Sequence, residues 1–168
     1  PKLVAWQDWW IRERCKDGPV AIVHPWESGR DNCPDWDIGM AKVSVDDSDP
    51  FIRKARENSR RDLGLLNADQ RPVASDYDRY LAILAFGRSV NWNDGDIIAR
   101  GPFLMADPGI TFVLLRACSD LIELGRILGE DTSGLVAQEA QLRQGLDKLW
   151  NPETGWFDAY DLRSGEYA

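Results

Sequence analysis

A chain of 168 residues, 43% hydrophobic and 29% charged, carries enough apolar material for one packed core and lacks the length for two comfortable ones. No apolar run approaches the roughly 20 residues that a bilayer span demands, and a formal net charge of -8 works against nucleic acid or an anionic membrane as partner, since both need clustered Lys and Arg. Cys15, Cys33 and Cys118 are odd in number and lack any CxxC spacing, so the expectation is reduced thiols in a cytoplasm, with neither a disulfide framework nor a zinc site.

The chain opens Pro1-Lys2-Leu3-Val4, without the basic stretch and apolar core of a leader and inside an amphipathic pattern, as an excised piece of a longer protein would. Leu3, Val4, Trp6, Trp9, Trp10 and Ile11 recur at helical spacing, predicting a helix to about Cys15 that Gly18-Pro19 stops. Val20 to Val23 is a short extended run leading into His24-Pro25-Trp26-Glu27-Ser28-Gly29-Arg30-Asp31-Asn32, which its Pro and Gly make a loop. Pro34 to Ala41 reads as a short helix with proline at its first position. Val43 to Pro50 is acidic and turn-like, and Phe51 to Leu66 is charge-dense, a solvated helix or an extended insertion. From Asp76 to Val90 the pattern predicts an amphipathic helix that buries Tyr77, Tyr80, Leu81, Leu84 and Phe86, with Asn91 to Gly101 as a connecting loop.

Asp107-Pro108 is a helix cap followed by a first-position proline. The next segment, Ile110 to Leu128, is apolar on nearly every side, as an inner, buried helix would be. Ser133 to Trp150 confines Leu135, Val136, Leu142, Leu146 and Leu149 to one stripe, the mark of an outer helix. A turn at Asn151 to Gly155 precedes Trp156 to Tyr160 and Arg163-Ser164-Gly165, which predict a short β-hairpin. Alternating inner and outer helices define an all-α fold of packed hairpins, whose closed form is an α/α toroid with its site at one end.

The chemistry concentrates in the His24 to Asn32 loop, where Glu27 and Asp31 stand four residues apart beside Trp26, Arg30 and the only histidine. Cleaving a glycosidic bond needs an acid to protonate the leaving oxygen, a second carboxylate, and apolar walls around the acid. The loop offers one such acid and an aromatic wall, although loop carboxylates are more often solvated or capping a helix. Eight Trp residues suit sugar stacking as well as ordinary core packing, and core packing is the commoner use. A lone His without a carboxylate or Cys cluster reads as a hydrogen-bonded structural residue.

The string PWESGRDN, with Pro34, Trp36 and Asp37 after it, resembles the motif of trehalase-like (α/α)6 hydrolases. Within them it is most similar to glycoside hydrolase family 63, in its mannosylglycerate and glucosylglycerate hydrolase branch. Four further blocks extend the resemblance: AWQDWW from Ala5, RPVASDYDRY from Arg71, FLMADP from Phe103 and the terminal GWFDAYDLRSGE. The resemblance implies a partial (α/α)6 toroid of helical hairpins ending in a short β-hairpin. Residues 1–168 would then be a single segment of a catalytic domain whose N-terminal part and general-base half, bearing a Glu, lie outside it.

By the same resemblance Asp31 is the general acid and Glu27 the residue that orients the loop, in an inverting α-glycosidase for a small glucosylglycerate- or mannosylglycerate-type glycoside. Trp26, Gly29, Asn32, Arg71 and Tyr77 fall on substrate-binding positions, although Tyr77 also fits an ordinary core role. Cys33 stands where relatives carry a small residue such as Ser or Ala. No metal and no cofactor is implied. The expected partners are a small carbohydrate and the remainder of the parent chain or a second copy, with no nucleic acid or membrane, and the segment alone should be inactive. The alternatives are an inactive carbohydrate-binding or structural helical domain, and a segment of a trehalase or oligosaccharide-processing glucosidase.

Overall fold

The computed structural model describes residues 1–15, 18–57 and 72–168. In chain order it contains α1 (Lys2–Arg14), β1 (Ala21–Ile22), α2 (Asp37–Ala41), α3 (Pro50–Glu57), α4 (Ala74–Ser89), α5 (Asp94–Arg100) and β2 (Met105–Ala106). There follow α6 (Pro108–Leu128), α7 (Ser133–Leu149), β3 (Trp150–Asn151), β4 (Trp156–Phe157), β5 (Tyr160–Asp161) and β6 (Glu166–Tyr167). The chain is mostly helical, as its periodicity predicts, and groups into two units: Pro1–Ile22 with Met105–Ala168, and Val23–Leu104.

In the first unit α6 and α7 form the principal hairpin. Asp107 starts α6 by accepting the Gly109 amide at 2.7 Å, with Pro108 behind it, and Gly129 in the left-handed region (φ 70) ends it. Leu114, Leu115, Cys118 and Ile122 of α6 meet Leu135 and Leu142 of α7, and Cys15 and Val20 complete the core. Each such aliphatic side chain contributes about 1.5–3 kcal/mol through burial. The backbone at Gly18 lies so close to α7 that a Cβ on Gly145 would stand 2.3 Å from the Gly18 carbonyl carbon. The expectation that α6 is buried all round is corrected: one face packs, while Val113, Ile127 and Leu128 stay more than 60% exposed. Val136, placed by the sequence pattern in the buried stripe of α7, is likewise exposed, and Gly145 is among the residues that α7 buries.

Four short antiparallel strands in the order β1-β2-β5-β6 bind the distant parts of this unit, with Ile22 opposite Met105 and Ala106 opposite Tyr160. The C-terminal segment holds two hairpins instead of the expected one. Asn151 and Thr154 both donate to Asp158 and Gly155 adopts φ 72, which closes β3 on β4. Asp161 accepts the Arg163 amide and Gly165 adopts φ 77, which closes β5 on β6.

In the second unit α4 is the central element, burying Tyr80, Leu81, Ile83 and Gly87. Leu84 and Phe86, expected in that stripe, are only half-buried. The α3 helix packs on α4, and Arg56 joins them by paired bonds to Asp78 at 3.0 and 2.9 Å. The part of the charge-dense segment beyond Glu57 lies outside the described residues. Where a loop was expected from Asn91, α5 forms instead: Asn93 caps it by accepting the Asp96 amide at 2.9 Å, and Arg100 pairs with Asp96 one turn back. Asn91 and Trp92 reach this helix through left-handed conformations (φ 52 and 57), and the Trp92 indole lies over Gly87, where any Cβ would meet it at 2.5 Å.

Candidate active site

The His24–Asn32 loop begins as a 3-10 turn over Pro25–Ser28, which Gly29 ends in the left-handed region with φ 69. Three side chains of the segment hold its own backbone. The Glu27 carboxylate accepts the Val23 amide at 2.7 Å, the Ser28 hydroxyl donates to the Pro25 carbonyl at 2.7 Å, and the Trp36 indole donates to the Arg30 carbonyl at 2.8 Å. Arg30 turns back to pair with Asp35 at 2.7 Å and lies over the Trp36 ring. Trp36 is itself buried against Phe103. A second 3-10 turn, Pro34–Trp36, therefore anchors the far end of the loop.

His24 governs the near end. The Trp26 amide donates to Nδ1 at 3.1 Å, which requires Nδ1 to be unprotonated, so Nε2 carries the hydrogen and donates to the Tyr80 carbonyl at 3.2 Å. Burial lowers the His24 pKa to about 4, against the opposing effect of the Tyr80 carbonyl, and the ring is neutral at pH 7. The rings of His24, Trp26, Tyr77 and Tyr80 form an aromatic nest with centroids 4.5 to 6.4 Å apart. The α4 helix supplies both tyrosines from positions three apart, hence on one face.

Asp31 is half-buried, and its carbonyl accepts the Tyr80 hydroxyl at 2.5 Å. The next residue, Asn32, lines a cleft of about 240 Å³ with Cys33, Trp36, Asp37, Arg79 and Tyr80. Arg79 is held across a turn of α4 by Asp76 at 3.0 Å. Partial burial, aided by the Asp35 carboxylate, raises the Cys33 pKa, so that thiol has no activation as a nucleophile.

Of the residues singled out from sequence, the structure brings Trp26 and Tyr77 into one aromatic nest and places Asn32 on the cleft wall. Glu27 is engaged in the loop, and Gly29 has open space where a side chain would project. Arg71 lies outside the described residues. The sequence pattern gives Tyr80 a core role alone; its hydroxyl reaches the loop, and its spacing of three from Tyr77 is the available signal. Arg79 and Asp76 offered no such signal, because an i,i+3 ion pair on a helix is ordinarily a solvated one. Among the described residues no group of three or more His, Cys, Asp or Glu could hold a metal ion, and no helix is long and apolar enough to cross a membrane.

The chain superposes on the crystal structure of the family 63 mannosylglycerate hydrolase of Thermus thermophilus in complex with Tris and D-glycerate. The TM-score is 0.89 at 37% identity, over 99% of this chain and 39% of that one. The same enzyme in complex with glucose gives a TM-score of 0.86 over the same shares. The helical architecture is therefore that of the (α/α)6-type glycoside hydrolases, of which this chain holds a part. Residues 1–168 match the family model described as the mannosylglycerate hydrolase MGH1-like glycoside hydrolase domain, and the chain belongs to that family. Among curated relatives, the Selaginella moellendorffii mannosylglycerate hydrolase MGH1 is 34% identical, over 99% of this chain and 34% of its own length. The glucosylglycerate hydrolase of Mycolicibacterium hassiacum is 28% identical, over 95% of this chain and 36% of its own length. The chain thus spans no more than about two-fifths of the relatives it matches, 39% in the Thermus enzyme.

Proposed function

We propose that the complete protein carrying this chain is an inverting α-glycosidase that hydrolyses a small glycoside of mannosylglycerate or glucosylglycerate type, and that Asp31 is its general acid. The Asp31 carboxyl gives its proton to the glycosidic oxygen as the bond to the anomeric carbon breaks. A second carboxylate, on a part of the protein beyond this chain, takes a proton from the water that attacks the opposite face. Inversion needs the two carboxyls roughly 6.5–9.5 Å apart, with the water between them. On this reading residues 1–168 are a single segment of the catalytic domain, inactive alone and acting in the cytoplasm.

The observation that carries the reading is the setting of Asp31: half-buried, in a loop fixed at both ends, one residue from a cleft wall and backed by an aromatic nest. Glu27, occupied by the Val23 amide, serves the loop. Trp26 keeps 41% of its surface open beside Tyr77 and serves as a sugar platform. Gly29 leaves room for the ring, and Asn32 and Arg71 bind its polar groups. The substrate class follows the relatives, named as hydrolases of mannosylglycerate and glucosylglycerate, and the Thermus structures with D-glycerate and with glucose.

The test is Asp31→Asn in the full-length protein, assayed on mannosylglycerate, glucosylglycerate and trehalose. The expected result is a glycerate-linked preference in the wild type and a fall in kcat of about 100-fold or more in the variant, the usual worth of a general acid. Undiminished turnover would remove Asp31 from the role, and a preference for trehalose would move the parent to the trehalase branch.

A further inference from the structure

We propose that Tyr80 is a positioning residue for proton donation, its hydroxyl setting where the Asp31 carboxyl meets the leaving oxygen; this rests on Asp31 being the general acid. Tyr80 holds the loop twice. Its hydroxyl donates to the Asp31 carbonyl at 2.5 Å, and its own carbonyl accepts from His24 Nε2 at 3.2 Å, while His24 Nδ1 accepts the Trp26 amide. Both bonds originate in one buried residue of α4, so the two ends of the PWESGRD turn are referenced to the same rigid helix. The Trp36 bond to the Arg30 carbonyl holds the peptide on the N-terminal side of Asp31, and the Tyr80 hydroxyl holds the peptide on its C-terminal side. Without the Tyr80 hydroxyl, the Asp31–Asn32 peptide loses a hydrogen bond that ties it to α4, so the Asp31 Cα, which carries the carboxyl, is held less firmly on that side.

The step at stake transfers the Asp31 carboxyl proton to the glycosidic oxygen, which keeps the electron pair of the breaking carbon–oxygen bond. Loss of orientation should therefore matter in proportion to how much protonation the leaving group needs. Glycerate leaves as an alcohol and needs the proton, whereas fluoride leaves as a weak base with little need of it.

The experiment compares Tyr80→Phe, Asp31→Asn and wild type in the full-length protein, on mannosylglycerate and on α-mannosyl fluoride. Tyr80→Phe keeps the ring and the carbonyl that receives His24. The expected result is a roughly 10- to 100-fold fall in kcat on mannosylglycerate with KM little changed, the scale of a misplaced catalytic group, and a fall of less than about threefold on the fluoride. Asp31→Asn should show the same selectivity more strongly. Equal losses of Tyr80→Phe on both substrates, or no loss, overturn the positioning role while a selective Asp31→Asn leaves the acid assignment standing. A non-selective Asp31→Asn overturns the acid assignment and the role of Tyr80 with it.

Discussion

His24 can receive the Trp26 amide at Nδ1 only while its ring is neutral, whereas its Nε2 bond to the Tyr80 carbonyl of α4 is open to either protonation state. Its folded pKa of about 4 lies below the ordinary 6.5, so on acidification the unfolded chain takes up the proton first. The neutral ring's contribution is complete above pH 6.5 and is lost as the pH falls towards 4, up to about 3 kcal/mol across that window. Thermal midpoints of wild type should therefore fall more steeply between pH 6.5 and 4 than those of His24→Gln, which keeps a donor and an acceptor but cannot titrate. Parallel curves would show that the ring does not carry this linkage. From sequence, a lone His could be read as structural, but its tautomer could not, because both partners are backbone groups and one of them is 56 residues away.

Close backbone approach decides which glycines matter in α7. Gly145 faces the backbone of Gly18 and Pro19, with an added Cβ 2.3 to 2.6 Å from three of their atoms, whereas Gly134 in the same helix meets nothing within 4 Å. Gly145→Ala should cost about 1–3 kcal/mol through overpacking that backbone cannot relieve. Gly134→Ala, at the second residue of α7, should stabilise by about 0.5 kcal/mol or less, a part of the advantage that Ala has over Gly in a helix interior. Urea unfolding checks both; equal effects of one sign would contradict the packing described. Elements with long periodicity, α1, α4, α6 and α7, were readable in the sequence because repeated apolar spacing survives in any window. The α5 helix was not, since its seven residues are held by the Asn93 cap and one ion pair with little periodic signal. The second C-terminal hairpin escaped for a related reason: two-residue strands leave no alternation to read, and its turn depends on Asp161 accepting the amides that follow it.

Over the whole molecule, five of the eight tryptophans and one face of α6 are exposed in a chain that spans about two-fifths of its relatives. Val113, Ile127 and Leu128 stay exposed on α6, whose Leu114, Leu115, Cys118 and Ile122 are packed into the core. Exposed apolar side chains such as Ile127 and Leu128, adjacent at the end of α6, promote association. Residues 1–168 alone should accordingly scatter light as dimers or larger species, and Ile127→Ser with Leu128→Ser should shift them toward monomer; a stable monomer unchanged by the pair would contradict this. On the proposed mechanism catalysis needs the complete protein, because inversion takes a second carboxylate opposite Asp31. The acid itself is tested most directly by the pH dependence of kcat/KM on mannosylglycerate in that protein. Wild type should lose activity through a single basic limb as the acid ionises. In Asp31→Asn the residual rate should be flat through that range, and a basic limb that persists unchanged would contradict proton donation by Asp31.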